Sequence, residues 1–255
     1  MIVDYHIHTS ASPDGQGDFT QFINEARKKA IDEIGFSEHL LDRPVRPIDF
    51  FDGYVERFLR IKKEAPMPVR LGAEVDYFPD QIAAIKKLVA RFPFDYVIGS
   101  VHFLEDWPID SFELQSYFRK DIMKIYEDYF AAIRGLCKSR LFDVLGHADI
   151  VKIFGYRPES DITRIFEDTA QTIAQNDICV EVNTAGLFRP CREIYPSRQL
   201  LEMLRQRNVP VTLASDAHKP EQVGRDFGKA LDLIRSLGYT DICTFEARKR
   251  KAVRI

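Results

Sequence analysis

Short strand-like runs alternate with longer segments of helical periodicity from one end of this chain to the other. The strand candidates, which are apolar and rich in β-branched residues, cover residues 2–6, 33–37, 70–75, 96–101, 143–146, 178–183 and 210–214. The helical candidates cover residues 19–30, 51–64, 81–91, 112–139, 161–175, 197–207 and 221–237. Such an alternation is typical of α/β folds with a parallel sheet. It predicts about seven βα units, with a weaker extra strand at residues 242–245.

The predicted architecture is a single barrel domain over residues 1–255. No linker rich in Gly, Ser or Pro divides the chain, and neither a G-x-G-x-x-G motif nor a P-loop follows the first strand. A length of 255 residues also suits one barrel better than two full domains. A closed barrel is therefore favoured over an open nucleotide-binding sheet, and its functional groups are expected at the carboxyl ends of the strands.

The charge balance argues against partners that bind through a strong electrostatic field of the whole protein. The chain has 36 Lys and Arg against 39 Asp and Glu, a formal net charge of −3. We therefore expect neither nucleic acid nor a membrane as a partner, and we expect the basic run at residues 248–251 to be solvated. The N-terminal segment has no export signal and the four cysteines form no C-x-x-C pair, so a cytoplasmic protein with reduced thiols is expected.

Histidine placement carries most of the functional information. Each of the six histidines ends or follows a predicted strand: His6, His8, His39, His102, His147 and His218. A single histidine in such a place is most often structural, but a set of six at one end of a barrel is not. Carboxylates accompany them, namely Asp4, Asp14, Glu38, Glu74, Asp149 and Asp216. Imidazole with carboxylate and without thiolate is the ligand set of hydrolytic zinc, manganese or iron sites, and this set exceeds what one ion needs.

The same segments, in this order, resemble the polymerase-and-histidinol-phosphatase (PHP) family and its histidinol-phosphatase branch. The resemblance rests on Asp4-Tyr5-His6-Ile7-His8-Thr9, Ser37-Glu38-His39, Gly72-Ala73-Glu74, Ser100-Val101-His102, Gly146-His147-Ala148-Asp149 and Ser215-Asp216-Ala217-His218. It covers nearly the whole chain. It implies a distorted TIM-like (β/α)7 barrel with three divalent metal ions at the carboxyl ends of the strands.

The resemblance also implies how the ligands divide among the ions. The first ion would be held by His6, His8, Glu74 and Asp216, the second by Asp14, His39 and His218, and the third by the bridging Glu74 with His102 and His147. Asp14 stands where many relatives have a histidine, and Glu38 replaces a more usual aspartate. Glu38, Asp149 and Asp4 are expected to orient His39, His147 and the first histidine pair, respectively.

The implied reaction is hydrolysis of L-histidinol phosphate to L-histidinol and phosphate, a step of histidine biosynthesis. A hydroxide that bridges two metal ions would attack the phosphoryl group, with Asp216, Glu74 and His218 as the catalytic residues. Either Asp216 or a metal-bound water would protonate the leaving alkoxide. For phosphate binding the resemblance favours Arg157 and Arg189, although Phe188 precedes Arg189 where the branch has none and Arg192 stays an alternative. Trp107 is expected either to line the substrate pocket or to anchor its loop.

Two other functions stay open from the sequence. A phosphoesterase of the same family could act on a nucleotide or an oligonucleotide instead of a small phosphate monoester. From a different class, the chain could be a metal-binding scaffold without activity, although its complete ligand set argues against this. The sequence does not determine the oligomeric state.

Overall fold

The computed structural model describes residues 1–41, 49–110 and 121–255 and consists of parallel strands surrounded by helices. In these residues the strands are β1 (Val3–Asp4), β2 (Glu33–Phe36), β3 (His39–Leu41), β4 (Val69–Leu71), β5 (Glu74–Asp76), β6 (Ile98–Ser100), β7 (Phe103–Leu104), β8 (Trp107–Pro108), β9 (Val144–Leu145), β10 (Cys179–Asn183), β11 (Val211–Ala214), β12 (Asp241–Glu246) and β13 (Lys249–Arg254). The α-helices are α1 (Phe19–Lys28), α2 (Asp49–Glu64), α3 (Ile82–Arg91), α4 (Ile122–Ser139), α5 (Thr163–Gln175), α6 (Arg198–Gln206) and α7 (Phe227–Ser236).

The strands close into a barrel with seven positions around its circumference. One parallel sheet has the order β1-β2-β4 and the other the order β11-β10-β9-β6-β5-β3. The two sheets join because β3 follows β2 and β5 follows β4 after short interruptions. The ring closes between β1 and β11, where Tyr5 N donates to Leu213 O at 3.2 Å and His8 N to Ala217 O at 2.8 Å. The predicted α/β barrel of seven units is confirmed.

Two glycines leave room for the buried side chain of Tyr96. A Cβ atom at Gly35 would lie 2.2 Å from the Tyr96 hydroxyl, and one at Gly72 would lie 2.3 Å from the Tyr96 ring. Neither position therefore accepts a larger residue without moving this side chain. Tyr96 in turn donates a hydrogen bond to Tyr5 O at 2.7 Å, which links its strand to the first one across the interior.

A C-terminal hairpin covers the amino-terminal end of the barrel. β12 and β13 pair in antiparallel register from Glu246 and Lys249 to Asp241 and Arg254. Phe245 is buried, and its ring centroid lies 5.8 Å from that of Tyr5. The basic tail is thus mostly an exposed strand, and Arg248 does not approach the loop after β1. Its guanidinium pairs with Asp143 and donates to Leu141 O at 2.8 Å, at the opposite end of the barrel.

Element boundaries differ from the predictions where local backbone geometry decides them. The predicted strand 70–75 is divided into β4 and β5 at Gly72 and Ala73. The predicted helix 221–237 begins only at Phe227, because Gly224 and Asp226 adopt positive φ angles of 59° and 55°. For the predicted helix 112–139, α4 starts at Ile122 behind an Asp121 cap, and residues 112–120 lie outside the described ranges. The extra strand at 242–245 is present within β12.

Candidate metal centre

The carboxyl ends of the barrel strands surround a cavity of about 140 Å³. Five of the six histidines lie just beyond a barrel strand, and His39 is the first residue of β3. The carboxylate and imidazole side chains that line the cavity are Asp14, His39, Glu74, His102, Asp110, His147, Asp216 and His218. His6 and His8 are fully buried beside Glu74. The fold therefore brings the predicted ligand residues together in one place.

Glu74, the first residue of β5, is the centre of this cluster. It pairs in register with His39 on β3, so the two side chains start from adjacent positions. Its two oxygens contact five histidine rings, with Oε1 at 3.0 Å from His147 Nε2 and 3.6 Å from His102 Nε2, and Oε2 at 3.1 Å from His39 Nδ1, 3.3 Å from His6 Nε2 and 3.5 Å from His8 Nε2. A carboxylate in this position is able to bridge more than one cation.

Three groups of described residues each bring three donor atoms within 4.8 Å of one another. They are His6 with His8 and Asp216, His8 with His39 and His218, and His6 with Glu74 and His147. The first group contains three of the four residues of the first predicted ligand set and lacks Glu74, and the third group has His6 where the resemblance placed His102. In the second group His8 joins His39 and His218, whereas the resemblance assigned His8 to the first ion.

Two further predicted ligands lie at the edges of these groups. Asp14 Oδ2 is 3.0 Å from His218 Nε2, and the Asp14 side chain is 56% exposed. His102 Nε2 is 3.1 Å from His147 Nε2, so two ring nitrogens face each other across the position predicted for the third ion. All nine predicted ligand residues therefore contact at least one other member of the set.

Carboxylates behind the cluster determine which histidine nitrogens face it. Glu181 on β10 lies 2.9 Å from His6 Nδ1, and Asp76 on β5 lies 3.0 Å from His102 Nδ1. When Nδ1 donates its proton to these oxygens, the lone pair of Nε2 points toward Glu74. In the described part of the chain the buried Nε2 atoms of His6 and His8 have no hydrogen-bond partner. Buried lone pairs without a partner, next to ionised carboxylates, fit divalent metal ions.

Sequence reasoning missed Glu181 and Asp76, although the sequence contained a signal for both. Parallel barrel strands are usually apolar throughout, because both of their faces are covered. A carboxylate inside such a strand is almost never buried without a partner. Glu181 and Asp76 are both buried, so each needed a partner that the strand itself does not supply.

In the metal-free cluster the pKa directions favour an ionised Glu74, a neutral His8 and a protonated His39. Burial raises the pKa of Glu74, but the surrounding histidines, His6 first, bring it well below its ordinary value. Burial, together with the neighbouring rings of His39 and His218, holds the pKa of His8 well below its usual range. Burial lowers the pKa of His39, yet Glu74 beside it raises that pKa to about 9. A cation that binds here therefore replaces the proton of His39 and meets a Glu74 carboxylate that is already ionised.

The carboxylates predicted to orient histidines have different contacts. Glu38 accepts hydrogen bonds from Thr9 N at 2.8 Å and Ser12 Oγ at 2.6 Å, and so holds the loop after His8 rather than the His39 ring. Asp149 Oδ2 accepts from Ser197 N at 2.7 Å and pairs with Lys152 at 2.9 Å. Among the described residues the buried Asp149 Oδ1 and His147 Nδ1 have no hydrogen-bond partner, so the expected bond between them is not formed.

The contacts of Asp4 also differ from the predicted ones. Its oxygens accept hydrogen bonds from Ser215 N and Gly224 N, both at 2.9 Å, and from the Ser215 hydroxyl. It therefore orients the loop that carries Asp216 and His218, and its interaction with the first histidine pair is with the backbone of His6, not with a histidine ring. The expectation failed because Asp4 is close to His6 in the chain, whereas its side chain crosses to the neighbouring barrel position.

Of the residues predicted to bind substrate, Arg189 lines the site cavity. Arg157 instead pairs with Glu193 at 2.8 Å and lines a separate cavity with Leu187. Arg192 donates to Leu187 O at 3.4 Å. Trp107 is in β8 and lines a third cavity, which supports loop anchoring rather than contact with the site.

The chain is similar to known proteins along most of its length. The PHP domain family model matches residues 4–185 of the chain. The probable histidinol-phosphatase of Deinococcus radiodurans is 31% identical, over 97% of this chain and 98% of its own length. The histidinol-phosphatase of Bacillus subtilis is 28% identical, over 87% of this chain and 95% of its own length.

A solved structure has the same fold. The histidinol phosphate phosphatase of Lactococcus lactis, determined in complex with zinc, L-histidinol and phosphate, has a TM-score of 0.80 with this chain. The match covers 98% of both chains at 23% identity. At this identity the likeness establishes a shared barrel along the full length of both proteins.

Proposed function

Since the chain belongs to the PHP domain family, we propose that it is a metal-dependent histidinol-phosphatase, which hydrolyses L-histidinol phosphate to L-histidinol and phosphate. The observation that carries this proposal is the convergence of five histidine rings on the buried carboxylate of Glu74. The substrate follows from the relatives that match nearly the whole chain, which are named histidinol-phosphatases. The enzyme belongs to histidine biosynthesis.

Three divalent metal ions are the proposed cofactor. The nitrogen and oxygen donors suit zinc, manganese or iron, and zinc is bound in the Lactococcus lactis enzyme. The residues that would hold them are His6, His8, Asp14, His39, Glu74, His102, His147, Asp216 and His218. When bound, such ions stabilise charge on the phosphoryl oxygens and lower the pKa of water.

The side chains of this chain supply substrate binding and proton transfer. Arg189 lines the cavity, where its guanidinium would bind two phosphoryl oxygens. The side chain of Asp216 is 15% exposed, whereas that of Glu74 is 2% exposed. Asp216 is therefore the carboxylate that would exchange a proton with the attacking water and the leaving alkoxide, while Glu74 holds the cluster together. His218, paired with Asp14, would bind at the outer side of the same cavity.

A small phosphate monoester is the proposed partner. In the described part of the chain, no helix is both long enough and apolar enough for a membrane crossing. We propose the cytoplasm as the site of action, in keeping with a substrate from amino-acid biosynthesis.

The test is a comparison of substrates with the purified, zinc-loaded protein. Release of inorganic phosphate is measured from L-histidinol phosphate and from a generic aryl phosphate, and release of nucleotides is measured from a short DNA strand. We expect the highest kcat/KM for L-histidinol phosphate. A preference for the DNA strand would replace this substrate with a nucleic acid, and bound zinc without hydrolysis of any ester would make the chain a metal-binding module.

A further inference from the structure

Phe188 is an exposed aromatic residue directly beside the one candidate phosphate ligand that reaches the cavity. Its side chain is 48% exposed, more than that of Leu59 or Met1. It ends the 3₁₀ turn Thr184–Phe188, and Arg189 is the next residue. Single exposed apolar side chains are common in proteins, so the contacts of the Phe188 ring, and not its exposure, carry the argument.

The face of the Phe188 ring is covered by a guanidinium from another loop. Arg225 Cζ lies 4.6 Å from the Phe188 ring centroid. The same guanidinium is held by backbone carbonyls, with Nε and Nη2 donating to Ser215 O at 3.2 and 3.1 Å. Nη2 also reaches Asp216 O at 3.4 Å, and Asp216 has a positive φ of 51°. The Phe188–Arg225 stack thus joins the Arg189 loop to the loop of a candidate metal ligand.

The loop from Thr184 to Tyr195 is anchored at both ends by hydrogen bonds. Asn183 and Tyr195 exchange two backbone hydrogen bonds of 2.7 and 2.9 Å, and the Asn183 side chain accepts from Ala185 N at 2.8 Å. Cys191 N donates to Ile153 O at 3.0 Å. Between these anchors, the stack on Arg225 holds the side of the loop that faces Asp216.

Arg189 itself is free to bind an anion. Among the described residues it forms no ion pair, in contrast to Arg157, which is paired with Glu193. Its position over the cavity is therefore determined by the backbone of its loop and not by a partner for its own charge. A long, unpaired side chain of this kind loses much conformational entropy when it binds.

We infer that the Phe188–Arg225 stack positions Arg189 over the candidate metal centre and thereby sets the affinity for the phosphoryl group. Phe188 is a positioning residue, since it acts through Arg189 and does not touch the reacting atoms. The inference rests on the proposed function, because it assigns the bound anion to the phosphoryl group of the substrate or to the phosphate product.

The first experiment replaces Phe188 and measures binding and turnover separately. With the zinc-loaded protein, Phe188→Ala is expected to raise both the KM for L-histidinol phosphate and the inhibition constant of inorganic phosphate by about three- to fivefold. The kcat and the zinc content should change much less. Phe188→Tyr retains an aromatic face and should restore both constants, and Leu59→Ala, an exposed apolar truncation on α2, is the matched control.

A double-mutant cycle with Arg189→Ala shows whether Phe188 acts through the arginine. If it does, Phe188→Ala adds little in the Arg189→Ala background, because the group that it positions is already gone. Additive effects on the phosphate inhibition constant would contradict the inference, as would unchanged constants in Phe188→Ala. A loss of zinc in Phe188→Ala would also contradict it, since the stack would then support Asp216 and not Arg189.

Failure of the proposed function is distinguishable from failure of this inference. If the zinc-loaded wild type does not hydrolyse L-histidinol phosphate, the substrate assignment fails. Calorimetric titration with inorganic phosphate still compares wild type, Phe188→Ala and the double variant under those conditions. Equal phosphate affinity in all of them would overturn the role of the stack by itself.

Discussion

Glu181 shows how much of the site depends on one residue that is not itself a predicted ligand. It lies in β10 between two valines and is 1% exposed. Its oxygens lie 2.9 Å from His6 Nδ1, accept from His147 N at 2.7 Å and accept from Asn183 Nδ2 at 2.7 Å. One carboxylate therefore orients both the ring of His6 and the backbone of His147, which belong to the candidate ligand groups. Outer carboxylates of this type fix the histidine tautomer and strengthen the ligand.

The first prediction concerns Glu181→Gln, which retains the shape of the side chain and removes its charge. Zinc affinity should fall about 10- to 100-fold, because Gln has one acceptor oxygen where the carboxylate has two, and His147 N and Asn183 Nδ2 already use one oxygen, so His6 Nδ1 loses its charged acceptor. Competition titration with a chromophoric chelator measures this. Glu202→Gln, at an exposed ion pair on α6, is the control and should bind zinc as the wild type does. Unchanged zinc affinity in Glu181→Gln would show that the strand alone orients His6.

At the scale of elements, the site is assembled from loops that are fixed to neighbouring strands. The loop after β11 carries Asp216 and His218. The backbone N–H groups of Ser215 and Gly224 donate hydrogen bonds to the carboxylate of Asp4 on β1. Burial raises the pKa of Asp4, and hydrogen bonds from Ser215 and Gly224 counteract this rise. The closure of the barrel between β1 and β11 thus also determines where two candidate ligands stand.

The second prediction tests this connection with Asp4→Asn. The amide would place an N–H donor against a backbone N–H, so one buried donor loses its acceptor. We expect a loss of about 1–3 kcal/mol in the free energy of unfolding, measured by urea denaturation of the metal-free protein. Zinc affinity should fall as well, because the loop of Asp216 loosens. Asp168→Asn, at an exposed ion pair on α5, is the control and should change neither quantity. An Asp4→Asn variant with unchanged stability and zinc affinity would refute the anchoring role.

At the scale of the whole molecule, the two ends of the barrel have different tasks. The carboxyl ends of the strands hold the polar cluster, and the amino-terminal end is covered by the β12–β13 hairpin. Phe245 packs there between Tyr5 and Tyr96, with ring centroids 5.8 and 6.0 Å away. In barrels of this type one face serves function and the other serves stability.

The third prediction tests whether the hairpin contributes to stability without acting on the site. Phe245→Ala should reduce the free energy of unfolding by about 3–5 kcal/mol, because it leaves a cavity in the aromatic cluster. The folded variant should bind zinc and release phosphate from L-histidinol phosphate as the wild type does. Phe245→Leu refills part of the volume and should lose less stability. A large change in zinc affinity at equal folded fraction would show that the hairpin also acts on the site.

The fourth prediction concerns metal and protons in the complete protein. The pKa of His39, raised to about 9 by Glu74 after the opposing effect of burial, lies above its unfolded value. In the metal-free protein the stabilisation from protonated His39 is complete below the unfolded pKa of about 6.5 and is lost as the pH rises through the folded value. Zinc needs the neutral ring, so its binding should release protons near neutral pH and strengthen as the pH rises.

Calorimetric zinc titrations in buffers of different ionisation enthalpy measure the released protons. Thermal unfolding with and without a chelator measures the linked stability, and chelation should lower the Tm reversibly, since zinc binds the folded site. His39→Ala is expected to release fewer protons. Zinc binding without proton release would contradict the electrostatic picture of the cluster.

The sequence alone determined the features that depend on local patterns. The alternation of apolar strands and amphipathic helices predicts the seven βα units, and the carboxyl end of a parallel strand is a fixed direction in a barrel. Histidines that follow successive strands therefore had to meet, whatever the details of packing. The absence of linker segments pointed to the same architecture.

Tertiary structure alone decided which groups touch. Glu38, Asp149 and Asp4 lie next to histidines in the chain, yet they hold loops, while Glu181 and Asp76 orient the rings from neighbouring strands. Arg157 and Arg189 have similar sequence contexts, but Glu193 pairs with the former, and the latter lines the cavity. Hydrogen bonds and ion pairs between strands depend on register and on side-chain direction, which the chain acquires only when the barrel closes. Sequence proximity does not encode either of them, and this is why the convergence of the histidines was predictable and their supporting contacts were not.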